Sequence, residues 1–66
     1  MPEITINLAE GRTEAQKTAI MRDISASIVK HLGVDPEAVV IQINEAPAHN
    51  KMKGGMTFVE RRAAGK

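Results

Sequence analysis

Ala38-Val39-Val40-Ile41-Gln42-Ile43-Asn44 decides the fold. Val39, Ile41 and Ile43 alternate with Val40, Gln42 and Asn44, and the run is rich in β-branched residues, so it predicts a strand. Asp35-Pro36-Glu37 before it is a tight connection. Further back, Ile20, Ile24, Ile28 and Leu32 recur every four residues, and Met21 and Val29 widen the stripe. This spacing predicts a helix from about Glu14 to Leu32. Thr13 and Gln16 fit a capping box, and Glu14 suits the positive end of the helix dipole. Lys30 and His31 suit the last turn, with Gly33 at C′. Earlier still, Glu3-Ile4-Thr5-Ile6-Asn7-Leu8 alternates with Ile4, Ile6 and Leu8 on one face, which predicts the first strand, and Glu10-Gly11-Arg12 forms a turn or loop.

Strand, helix, strand in this order is a βαβ unit. A crossover helix makes the two strands parallel and the connection right-handed. One helix covers one sheet face only. Val40 lies opposite Ile41, so the second face also calls for a partner. Downstream, residues 45–55 read as a loop. Met56-Thr57-Phe58-Val59 predicts a short strand or hairpin arm, and Glu60 to Lys66 is expected to fray. The chain contains no internal repeat, linker or low-complexity segment.

The 66 residues form one domain, 1–66, close to the lower limit for independent folding. A chain of this size buries only about 60% of its unfolded surface. Small folds usually add disulfides, a metal or subunit contacts. There is no cysteine, and His31 and His49 form no spaced ligand set, which argues against disulfides and a structural zinc. Self-association remains, and an oligomer is expected. Nine basic against eight acidic side chains give a net charge of +1, and Phe58 is the single aromatic. That combination makes no case for nucleic acid, which needs a clustered basic face or a stacking platform. No segment approaches the ~20 apolar residues of a membrane span. The start lacks a basic, apolar leader, so the expected location is cytoplasmic.

Pro2 is the first candidate for chemistry. A small residue after the initiator methionine allows an aminopeptidase to remove that methionine, leaving a secondary amine. An ordinary α-amino group has a pKa of about 7.7–8.0. An apolar pocket or a nearby cation lowers it, so the amine can be neutral and act as a general base. The ring also fixes the direction of the lone pair. Arg12 follows Gly11 at the mouth of the βα turn. A guanidinium there suits two-point contact with a carboxylate, and would depress the pKa of an adjacent amine. On the blander reading, Pro2 merely follows a start codon and Arg12 is a solvated loop residue. His49 reads as a surface histidine and His31 as a dipole partner at the helix end. Gly54-Gly55 reads as a turn or a close backbone approach, and Met52 and Met56 as packing. Lys51, Lys53, Arg61 and Arg62 read as solvated charge, and Glu45 as a strand-end charge.

Together these features resemble the 4-oxalocrotonate tautomerase family. The resemblance rests on Met1-Pro2, Leu8-Ala9-Glu10-Gly11-Arg12-Thr13, Glu14-Ala15-Gln16-Lys17, Ile43-Asn44-Glu45, Asn50 and Gly54-Gly55. It spans essentially the whole chain. It implies an α+β fold: a β-α-β protomer with parallel strands and a short C-terminal hairpin, assembling as dimers into a hexamer. Homohexamers and heterohexamers both occur in the family. The implied chemistry is enol–keto proton transfer on 2-hydroxydienoates or 2-oxo acids, with no metal or organic cofactor. By resemblance Pro2 is the base and Arg12 binds a substrate carboxylate. Two positions depart from the family pattern. Val40 stands where members active on dicarboxylates carry a second arginine, and Lys51, beside Met52, stands where they carry a loop aromatic. Losing that arginine removes a charge-assisted hydrogen bond of roughly 1.5–3 kcal/mol, about ten- to a hundredfold in affinity for one end of a diacid. The Lys51 ammonium would partly compensate for the lost aromatic wall, since it also disfavours protonation of Pro2. Two further readings follow from the resemblance: a heterohexamer subunit lacking full activity alone, and a hydrolytic dehalogenase or decarboxylase of the same superfamily.

Overall fold

The alternation and the capping signals become structure as the sequence predicts, in a computed structural model that describes residues 1–66. Strand β1 (Glu3–Ala9) leads through a loop into helix α1 (Glu14–Leu32), and strand β2 (Val40–Ala46) returns parallel to β1. The register runs from Glu3 opposite Val40 to Ala9 opposite Ala46. Ile4, Ile6 and Leu8 on β1, and Ile41, Ile43 and Ala46 on β2, are the half-buried positions of the sheet. Thr13 caps α1 reciprocally: its hydroxyl accepts from the Gln16 N–H, and the Gln16 side chain accepts from the Thr13 N–H. A cap of this kind contributes about 1 kcal/mol. Gly33 ends the helix at φ 64°, its N–H donating to the Val29 carbonyl.

The second strand starts later than its residue pattern predicts. Asp35 accepts from the Glu37 N–H through its side chain, and Pro36 supplies the fixed φ of a first helical position. Pro36–Ala38 therefore closes a 3-10 turn, and pairing begins at Val40 instead of Ala38. The strand then continues through Ala46, into the stretch expected to be loop.

The C-terminal third is more ordered than expected. A 3-10 turn at Ala48–Asn50 leads into a hairpin of β3 (Met52–Lys53) and β4 (Met56–Thr57). Gly54 and Gly55 take φ 62° and 77°, as a two-residue turn with left-handed central positions demands. The expectation that residues 60–66 fray is corrected for 60–63, because helix α2 occupies Phe58–Ala63. Thr57 is its N-cap and Glu60 reciprocates, a second capping box that the sequence carries as Thr57-Phe58-Val59-Glu60. Phe58 and Val59, expected to extend β4, are the first residues of that helix.

The isolated protomer has no closed core. Ala48 alone is buried, and α1 contains no buried residue. The radius of gyration is 15.5 Å, against about 11 Å for a compact chain of this length. Exposed surface is 4974 Å², where a compact monomer of this mass shows roughly 4,100 Å². The 3-10 turn, the hairpin and α2 pack chiefly on one another. No helix is long and apolar enough to cross a membrane.

Candidate active site

Pro2 is half-buried just before β1. Its carbonyl accepts a hydrogen bond from the Val40 N–H at 3.0 Å, so β2 fixes the proline at the foot of the sheet. Met1 beyond it is 81% exposed. Proline suits this position because its missing N–H takes nothing from the ladder at a strand start.

Arg12 lies at the other end of β1. Gly11, at φ 117°, makes the turn out of the strand, and the Glu10 N–H donates to the Ala46 carbonyl at 3.2 Å. These contacts present Arg12 at the start of α1, exposed and without an ion-pair partner in the chain. It lines an open hollow of about 300 Å³ with Leu8, Gln16, Lys17 and Ile20. Leu8 and Ile20 give this space apolar walls and Arg12 an unpaired cation, which suits an organic anion with a short carbon skeleton.

Pro2 and Arg12 are not brought together within one chain. Seven strand residues at about 3.3 Å each separate them by roughly 23 Å. The expectation of a guanidinium adjacent to the amine therefore fails inside a protomer.

Lys51 sits in neither hollow of the protomer. Its ammonium lies over the Phe58 ring, 5.5 Å from the centroid, and its carbonyl accepts from the Phe58 N–H at 2.8 Å. The single aromatic of the chain thus stands beneath Lys51, so this loop is not without an aromatic partner. Its ring comes from the first turn of α2.

Lys17 is the residue that sequence reasoning missed. Its ammonium bonds the Glu45 carboxylate at 2.7 Å, with the two side chains 23% and 32% exposed. The contact joins the first turns of α1 to the end of β2, across 28 positions of sequence. No local pattern could reveal it, because only the parallel register carries Glu45 there. Beside the pair, a second hollow of about 470 Å³ lies between α1 and β2, lined by Thr18, Met21, Ile41 and Ile43 among others.

Comparison with known proteins gives the family of the chain. The sequence model of the family described as tautomerase enzyme matches residues 2–61. A probable tautomerase of Bradyrhizobium diazoefficiens is 68% identical over 66 residues, covering 100% of this chain and 98% of that one. Among solved structures, a 4-oxalocrotonate tautomerase isozyme of Methylibium petroleiphilum superposes with a TM-score of 0.88 at 40% identity, covering 96% of this chain and 98% of that one. A heterohexamer 4-oxalocrotonate tautomerase of Chloroflexus aurantiacus gives a TM-score of 0.82 at 30% identity, covering 91% and 97%.

Proposed function

Because the chain belongs to the tautomerase family and so is an isomerase of that type, we propose that it transfers a proton between enol and ketone forms of 2-oxo acids or 2-hydroxydienoates, with the Pro2 nitrogen as general base. The observation that carries this reading is how Pro2 is held. Its carbonyl is tied to β2 while Met1 projects into solvent, within reach of an aminopeptidase. Removal of Met1 leaves a secondary amine whose ring and lone pair are already oriented. The neutral amine takes the proton from the enol oxygen or from carbon and returns it at another carbon.

The substrate carboxylate binds Arg12. Since Pro2 and Arg12 lie at opposite ends of β1, the working site forms between copies, the amine from one and the guanidinium from another. Self-association is thus part of the chemistry. The open protomer supports this, as does the hexameric assembly named for a structural neighbour. A hexamer of three dimers is the proposed state. Lys51, which stands over Phe58 in the hairpin segment, is proposed to border the same intersubunit pocket and to disfavour protonation of Pro2.

Val40 is 39% exposed and brings no charge to the foot of the sheet. Monoacids such as phenylenolpyruvate are therefore turned over better than dicarboxylates. Parallel assays of one substrate of each kind test this, and a strong preference for the dicarboxylate would contradict it. The uncharged Val40 also favours one second reading, a subunit whose partner chain supplies the missing arginine. On that reading the purified chain is nearly inactive and co-expression with an arginine-bearing partner restores turnover.

A further inference from the structure

We propose that Glu45 sets the charge of substrate accepted at the Arg12 hollow by holding Lys17 out of it, an inference that rests on Arg12 as the carboxylate anchor. Two cations line this hollow, but they are not equivalent. Arg12 has no anionic partner, whereas the Lys17 ammonium is neutralised by Glu45 at 2.7 Å. Lys17 borders both hollows, and Glu45 borders only the one between α1 and β2. The carboxylate therefore draws the ammonium to the β2 side. The hollow is left with one working cation and the apolar walls of Leu8 and Ile20, which matches a single carboxylate on a carbon skeleton.

Without the Glu45 charge, the ammonium is free to swing on its four-carbon stem toward Arg12. A second carboxylate would then find a second cation. This specificity element is separate from the position of Val40, which lies at the opposite end of β2.

The test uses the assembled protein and two five-carbon probes, pentanoate and glutarate, which differ by one carboxylate. Dissociation constants come from chemical-shift titration of the amides around Arg12, and the readout is the glutarate-to-pentanoate affinity ratio. Glu45→Gln should raise that ratio roughly fivefold, the scale of a partly exposed ion pair. Glu45→Gln combined with Lys17→Gln should return it to the wild-type value. Lys17→Met alone should leave it within about twofold, because a masked cation contributes little to discrimination. An unchanged ratio in Glu45→Gln, a gain that survives in the double variant, or a ratio that falls in Lys17→Met would each overturn the inference and leave the Arg12 reading standing. If Arg12→Ala binds both probes as wild type does, or wild type binds neither, both fall together.

Discussion

At the foot of the sheet, Pro2 gives its carbonyl to the Val40 N–H and has no N–H of its own to place. Its nitrogen therefore makes no hydrogen bond in the fold. Arg12 is left equally free, held in position by the Gly11 turn and paired with nothing in the chain. A freely presented guanidinium should act mainly in binding. Arg12→Ala is expected to raise KM for an enolised monoacid about ten- to a hundredfold with a smaller change in kcat, as steady-state kinetics would show. A fall in kcat at constant KM would instead give Arg12 a role confined to the transition state. Val40→Arg adds a cation where the backbone already meets Pro2. It should raise kcat/KM for a dicarboxylate by about tenfold or more while changing that for a monoacid less.

The two helices of the chain are capped in the same way, yet only one cap is prominent in the sequence. Thr13, with Gln16 reciprocating, caps a nineteen-residue helix that carries a long apolar stripe. Thr57, with Glu60 reciprocating, caps only six helical residues, too few for any periodicity to declare itself. The local motif was present, but the apparent charge and small residues of the tail outweighed it. The β1–α1–β2 unit was legible because each element carries its own period and its own stop signals. The 3-10 turn at Pro36–Ala38 was not, because it depends on one Asp35 side chain competing for the backbone. The candidate site divides in the same way. Pro2 and Arg12 can be named from sequence, whereas the distance between them and the Lys17–Glu45 contact exist only once the strands are in register. The α2 cap also has a pH signature. Hydrogen bonds from the Thr57 backbone N–H and side chain hold the Glu60 carboxyl below its ordinary value near 4.5. A lowered folded-state value stabilises the helix above the unfolded value and loses that effect as pH falls through the folded one. Amide protection factors in Phe58–Ala63, taken relative to the intrinsic exchange rate at each pH, should therefore fall on acidification below about pH 4.5. Glu60→Gln should remove most of that pH dependence, and an unaltered profile would deny the cap its part.

On the scale of the whole molecule, charge is divided unevenly along the chain. Residues 1–46 carry seven acidic and four basic side chains, and residues 47–66 carry one acidic and five basic. The C-terminal elements pack chiefly on themselves, and Met52 and Val59 remain exposed there. A basic arm beside an acidic body favours contact between copies, arm to body, with a strength that salt reduces. Sedimentation at low micromolar protein should show the assembly dissociating more readily at about 0.5 M salt than at about 0.05 M. A salt-independent assembly would assign the contacts to apolar surface alone. All of this matters to catalysis only if the assembled protein offers an uncharged amine at Pro2. Nitrogen-15 NMR of proline-labelled protein across a pH series reads that nitrogen directly. A secondary-amine signal titrating below the ordinary α-amino range of about 7.7–8.0 is expected. A tertiary-amide nitrogen that does not titrate, with Met1 still attached, would contradict it.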